Sequence, residues 1–172
     1  MTILVTGCAG FIGFHTVIDL LKYSKVVGID NFNDYYDVKL KKSRVEQINK
    51  NKNKKNFIFL KLDLTNKKSL TNVFKKYKIK KIIHLAAQAG VRHSLKKPKD
   101  YLDNNILATF NLLDLSKDFK IKHFIFASTS SVYGNQIHMP FKENTAASHP
   151  IQFYAATKRS CELMCHSYSH LY

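Results

Sequence analysis

Gly7-Cys8-Ala9-Gly10-Phe11-Ile12-Gly13 stands between a short β-branched apolar run, Ile3 to Thr6, and an amphipathic stretch, Phe11 to Tyr23. A strand that turns through glycines into a helix leaves backbone N–H groups free at the helix start. An anion reaches them only where no Cβ keeps it away. Gly7 permits the turn, Gly10 the close approach, and Gly13 lets the helix lie against the sheet. The spacing is GxxGxxG rather than GxGxxG, and by itself the triplet also describes an ordinary tight turn. Asp30 adds the second half of the signal, because it follows the next strand, Val26 to Ile29, near the distance at which a carboxylate takes ribose hydroxyls. Together they predict dinucleotide binding. A carboxylate there accepts hydrogen bonds from an adenosine ribose and repels a 2′-phosphate, which favours NAD over NADP. Lys41, Lys42 and Arg44 are a counter-signal, cancelled if they face solvent.

Outward from this turn, apolar runs alternate with amphipathic stretches, the order of repeated βαβ units. Further strands are expected at Phe57 to Leu60, Ile82 to Leu85 and His123 to Ala127. Helices are expected at Tyr36 to Lys50, at Lys67 to Tyr77 with Leu70, Val73 and Phe74 inward, and from about Phe153 to the end. Pro98 fits a helix start, and Tyr101 to Ser116 is expected to bury a face made of Leu102, Ile106, Leu107, Phe110 and Leu113. The expected fold is α/β, a doubly wound parallel sheet beginning in strand order 3-2-1-4-5. Asn49 to Asn56, rich in Asn and Lys, reads as a surface loop.

The 172 residues, 45% of them hydrophobic, suffice for one substantial core and are short for two. The expectation is one domain over residues 1–172, incomplete at its C-terminal side. The formal charge of +16 comes from 28 Lys and Arg against 12 Asp and Glu, a balance that can signal a polyanion partner. Here the lysines fall in Asn-interleaved runs between apolar segments, and no RNP-like aromatic pattern or zinc-finger spacing accompanies them. No specific nucleic-acid partner is expected. With no run of about 18 apolar residues and no cleavable leader pattern, neither membrane association nor export is expected, and the cytoplasm is the expected location. Cys8, Cys161 and Cys165 are too sparse for a disulfide framework. His166 and His170 share a helix spacing but lack an acidic ligand, so no metal site is expected.

Tyr154-Ala155-Ala156-Thr157-Lys158 lies on the last predicted helix. Residues four apart share a face, so the phenol and the ammonium can serve one site. A tyrosine titrating near 10 needs about 4 kcal/mol to act as a base near neutrality, and a neighbouring cation supplies opposite-charge stabilisation. In isolation the pair is simply a tyrosine and a solvated lysine. The run Ser128-Thr129-Ser130-Ser131 follows the fifth strand, at the carboxyl edge of the sheet where open α/β folds bind ligands; the alternative is a polar loop with capping duties.

Gly7 to Gly13, His84-Leu85-Ala86-Ala87, Ser130-Ser131-Val132-Tyr133-Gly134 and Tyr154 to Lys158 together resemble the extended short-chain dehydrogenases, the NAD-dependent epimerase/dehydratase family with a Rossmann-type fold. Asp30 to Asp37, His84 through Gln88 to Arg92, and Phe153 to Lys158 are most similar to the front part of UDP-glucuronate 4-epimerases. The resemblance implies that Gly7, Gly10, Phe11, Ile12 and Gly13 hold the pyrophosphate of NAD and that Asp30 and Asn31 hold the adenosine ribose. It places Asp63 and Leu64 at the adenine edge and Leu85, Ala86 and Ala87 along the cofactor's middle. Tyr154 is implied as base, and Lys158 as the partner that holds the nicotinamide ribose and depresses the tyrosine pKa. Thr129 and Ser131 would contact the reacting hydroxyl, Gln88 and Arg92 would meet the nucleotide-sugar substrate, and Asn105 matches a supporting helix residue.

Dehydratases of this group carry an Asp-Glu pair where Ser130 and Ser131 stand, and related decarboxylases place Glu at the position of Ser131. Their absence favours reversible oxidation at one carbon without elimination. The implied activity is 4-epimerisation of UDP-glucuronate and UDP-galacturonate through a 4-keto intermediate, with a homodimer for the full-length form. Alternatives are another nucleotide-sugar epimerase, an inactive fragment, or a non-catalytic dinucleotide- or RNA-binding module.

Overall fold

The computed structural model describes all residues from Met1 to Tyr172. Five parallel strands form one sheet in the order β3-β2-β1-β4-β5: β1 Thr2–Thr6, β2 Lys25–Asp30, β3 Phe57–Lys61, β4 Lys81–His84 and β5 His123–Phe126. Helices α1 Phe11–Leu20, α2 Val38–Lys50 and α3 Lys67–Tyr77 connect the first four. Parallel strands covered on both faces need apolar side chains on both, and in β1 Ile3, Leu4 and Val5 are all buried. One core lies between the sheet and α3 and α6 (Ala108–Asp118), around Leu4, Val27, Leu70, Phe74, Ile82 and Leu112. The other lies under α1 and α2, around Val5, Val17, Leu21, Val45 and Ile48. Leu70 and Phe74 are essentially inaccessible, and each contributes about 1.5–3 kcal/mol of hydrophobic stabilisation.

The strand order and element sequence agree with expectation, and α3 has the expected bounds. Three differences follow from local chemistry. First, Val91–Lys96, for which no element is expected, is helix α4, starting from Gly90 at φ +97°. Second, the chain from Pro98 to Asp118 combines α5 (Pro98–Tyr101), a π-helical stretch (Leu102–Leu107) and α6. Third, of the apolar face expected there only Leu113 is buried and Ile106 half-buried, while Leu102, Leu107 and Phe110 are exposed. The inward residues are instead Tyr101, Asn105, Ala108, Thr109, Leu112 and Leu115. A π turn holds an extra residue, which rotates one half of the rod against the other. Asn105 and Thr109 turn inward because main-chain and histidine partners await them there. The last helix is α7, Phe153–Leu171.

Candidate cofactor and active site

The turn from β1 to α1 folds onto the end of β2, with the N–H groups of Gly7 and Cys8 donating to the Ile29 carbonyl at 2.8 and 3.2 Å. Gly7 has φ +68°, and a Cβ there would stand 2.8 Å from the Ala86 nitrogen. One on Gly13 would stand 2.1 Å from the Gly7 oxygen. Gly10 begins α1 with no side-chain cap, so the first-turn N–H groups remain open to an anion. Phe11 and Ile12 are exposed on that turn. Cys8, wholly buried, sits where a Cβ on Gly28 would touch its sulfur; it fills space, and burial pushes its thiol far above the ordinary range.

Beside this turn opens a cavity lined by nine of the expected residues: Gly7, Gly10, Asp30, Asn31, Asp63, Leu64, Leu85, Ala86 and Ala87. Asp30 accepts from the Ala9 N–H (3.2 Å) and the Phe32 N–H (2.9 Å). Asn31 donates to Asp63 at 3.0 Å, and Thr65 donates to Asp63 from main chain and hydroxyl at 2.9 and 2.6 Å. Burial alone would raise the Asp63 pKa, but the hydrogen bonds from Thr65 and Asn31 outweigh it and hold the carboxyl below its usual range. Sequence reading missed Asn33, Tyr35, Tyr36, Lys41 and Asn104, which line the same cavity. Of the three basic residues that form the counter-signal to NAD preference, only Lys42 is exposed. Lys41 is buried against Asn33, and Arg44 donates to the Ala9 carbonyl at 3.1 Å and to the Tyr36 hydroxyl at 3.2 Å.

The end of β4 is held by a buried chain of hydrogen bonds. The Thr6 hydroxyl oxygen accepts from Leu85 and Ala86 N–H groups, each at 3.2 Å. Its proton therefore goes to His84 Nδ1 (2.7 Å), which leaves Nε2–H to donate to Thr109 at 3.0 Å. Burial, reinforced by the Lys158 charge, lowers the His84 pKa to about 3, so the ring is neutral. Asn105, reaching in from the π turn, accepts from the Gln88 N–H (2.8 Å) and donates to the Gln88 carbonyl (3.2 Å) and to Thr157 of α7 (3.0 Å). Gln88 is buried below the cavity between two of its lining residues, Ala87 and Ala89, while Arg92 is exposed on α4.

Tyr154 and Lys158 both lie on α7, with the Tyr154 ring edge-on to Tyr101, centroids 6.0 Å apart. The Lys158 ammonium lies 4.2 Å from the centre of the Phe126 ring at the end of β5. Burial lowers its pKa to about 8, which leaves it mostly charged at neutral pH. The loop after β5 turns through Ser130–Tyr133 as a 3₁₀ turn whose start is capped by the Thr129 hydroxyl oxygen, accepting from Ser131 N–H at 3.2 Å. Thr129 thus has the capping duty, and its own proton stays available to donate. Glu162, the only carboxylate of α7, accepts from the Ser128 hydroxyl and pairs with Arg159 at 2.7 Å. None of Tyr154, Lys158, Thr129 or Ser131 lines the cavity next to the glycine turn; they stand on β5's side of the sheet, past Gln88.

Residues 4–172 match the family described as GDP-mannose 4,6 dehydratase. UDP-glucuronate 4-epimerase of Thermodesulfobacterium geofontis is 49% identical over 98% of this chain and 51% of its own length. Protein CapI of Staphylococcus aureus is 47% identical over 100% of this chain and 51% of its own. The solved structure of UDP-glucuronic acid 4-epimerase from Bacillus cereus, in complex with UDP-glucuronic acid and NAD, superposes with a TM-score of 0.90 at 38% identity, covering 99% of this chain and 53% of that one. The chain spans about half the length of the curated relatives it matches. With the glycine turn, the β2 carboxylate and the Tyr154–Lys158 helix in one Rossmann-type sheet, the chain belongs to the GDP-mannose 4,6 dehydratase family of NAD-dependent nucleotide-sugar epimerases and dehydratases.

Proposed function

We propose that this chain is the NAD-binding portion of a cytoplasmic UDP-glucuronate 4-epimerase, one domain over residues 1–172 that is completed by a substrate lobe. The observation that carries epimerisation over dehydration is the loop from Ala127 to Gly134. It offers hydroxyls and no carboxylate, and the one carboxylate of α7 is engaged by Ser128 and Arg159. Removing water from a sugar needs an acid and a base at adjacent carbons, whereas moving a proton from one hydroxyl needs only a base. The uncapped start of α1 and the glycine cradle fit a pyrophosphate, and Asp30 fits a ribose diol.

NAD, held by the glycine turn and Asp30, would supply the hydride acceptor and donor needed for oxidation and re-reduction at C4 of the sugar. Tyr154 takes the proton of the 4-hydroxyl, with Lys158 four residues further along the same helix α7. Thr129 and Ser131 hold that hydroxyl, Gln88 and Arg92 meet the nucleotide sugar, and Asp63 and Leu64 border the adenine. The exposed Leu102, Leu107 and Phe110 on one rod support a homodimer of the complete protein.

The decisive experiment joins residues 1–172 to the C-terminal half of the Thermodesulfobacterium enzyme. The chimera should interconvert UDP-glucuronate and UDP-galacturonate, resolved by chromatography. Tyr154→Phe in it should lower turnover by roughly a hundredfold or more with NAD still bound. A chimera that folds and binds NAD but leaves UDP-glucuronate unchanged, and instead converts a nucleotide hexose with a free 6-hydroxyl such as UDP-glucose into a dehydrated 4-keto-6-deoxy sugar, would overturn the epimerase reading.

A further inference from the structure

Lys41 is 4% exposed, and its ammonium bonds to no carboxylate. It donates to the Asn33 carbonyl at 2.7 Å and to Asn33 Oδ1, and lies 4.4 Å from the centre of the Tyr36 ring. A buried charge carries a desolvation cost that an apolar residue of the same size would avoid, so its hydrogen bonds have to accomplish something. An ammonium only donates, hence the side-chain atom of Asn33 facing it is the oxygen. The Asn33 Nδ2 then faces the other way, where it meets Gln88 Oε1 at 3.5 Å. Gln88 in turn is left with its Nε2 as a buried donor without a hydrogen bond of ordinary geometry, its one polar neighbour of note being the Tyr101 hydroxyl. The Gln88 main chain is clamped by Asn105 on both its N–H and its carbonyl. The remaining freedom is the orientation of its amide.

We propose that Lys41 is a positioning residue: through the Asn33 carboxamide it sets the orientation of the Gln88 amide, whose NH₂ carries two donor hydrogens, one directed to an oxygen of bound NAD and one left for the nucleotide sugar. Asn33, whose own N–H donates to Asn31 at 3.0 Å, thereby couples the ribose end of the cavity to the end nearest the sugar. The inference rests on the reading of that cavity as an NAD site.

Calorimetric titration of the 172-residue chain with NAD, together with ¹⁵N spectra of its side-chain amides, tests it. Lys41→Met and Gln88→Met should each weaken NAD by roughly tenfold, and the double variant should lose little more than the worse single one. The Gln88 NH₂ signals, identified by their loss in Gln88→Met, should shift in Lys41→Met and equally in Asn33→Asp. The latter keeps an acceptor for Lys41 and replaces the donor to Gln88 by a carboxylate oxygen, so it serves even if Lys41→Met does not fold. Losses that multiply to about a hundredfold in the double variant, or Gln88 signals unmoved in Asn33→Asp, would overturn the relay. Absence of NAD binding by the wild-type chain would instead overturn the cavity reading, and the amide shifts would still decide the relay.

Discussion

Both oxygens of the Asp30 carboxylate accept backbone N–H groups, so its charge is fixed at the end of β2 rather than swinging on a free side chain. Fixed charge discriminates better than mobile charge, because a 2′-phosphate cannot push it aside. NAD should therefore bind this chain at least about tenfold more tightly than NADP, and calorimetry with both cofactors checks it. Asp30→Ser should narrow the gap from both directions: the repulsion goes, and Lys41 in the same cavity becomes an unopposed cation. Equal affinity of the wild-type chain for the two would remove Asp30 from this role. At this scale the sequence was most legible where a residue type has few uses, as with a glycine that has no room for a Cβ or an acid ending a strand. It was least legible for Lys41 and Arg44, since a lysine on a polar helix gives no sign that it turns inward.

Around β4, α6 and α7 the elements are joined by buried polar groups, which makes their junction sensitive to acid. The His84 pKa lies at about 3 in the fold against an ordinary 6.5, so protons bind the unfolded chain more readily. The resulting stability is complete above about pH 6.5 and is lost as the pH falls from there toward 3, at up to about 1.4 kcal/mol per pH unit. Asp63 and Asp114, both held below their usual range, add losses in the same direction but only near and below ordinary carboxylate pKa values. Urea unfolding between pH 6.5 and 5 thus isolates the histidine: wild-type stability should fall more steeply there than that of His84→Asn, and parallel slopes would mean that His84 is not buried neutral. Asn105→Leu, close in volume, should cost about 2–5 kcal/mol by stranding the N–H and carbonyl of Gln88, read from the same urea curves. The strands themselves were readable because buried parallel strands are continuously apolar. The rod from Pro98 to Asp118 was not, because polar Asn105, Thr109 and Asn111 face inward to bond Gln88, His84 and the Leu64 carbonyl. A count of apolar residues at helical spacing assigns such a face to solvent.

The sheet as a whole has two outer strands, and the β5 side is the less protected. Ile125 of β5 is 44% exposed, and a groove lined by Ile121, Phe124, Tyr168, Leu171 and Tyr172 runs between this strand and the end of α7. Leu102, Leu107, Phe110 and Leu163 add further apolar surface. An open edge with apolar neighbours pairs with other chains, while a net charge of +16 keeps copies apart. The two effects respond oppositely to salt: screening shortens the reach of the charge from about 30 Å at 0.01 M to about 8 Å at 0.15 M, and the apolar attraction remains. The 172-residue chain should therefore sediment as a monomer at low ionic strength and self-associate as salt is raised, the reverse of an assembly held by ion pairs. It should also be catalytically silent by itself. The Tyr154–Lys158 helix packs beside the exposed β5 edge, and an error of about 1 Å in placing a catalytic group can cost on the order of a hundredfold in rate. The relatives are about twice as long, which leaves half of such a protein to hold the sugar nucleotide. Incubating the purified chain with NAD and UDP-glucuronate at low salt, where it is dispersed, separates poor placement from aggregation. Ordinary turnover under those conditions would mean that residues 1–172 hold substrate unaided, and dissociation on adding salt would mean that charge, not the apolar edge, joins the copies.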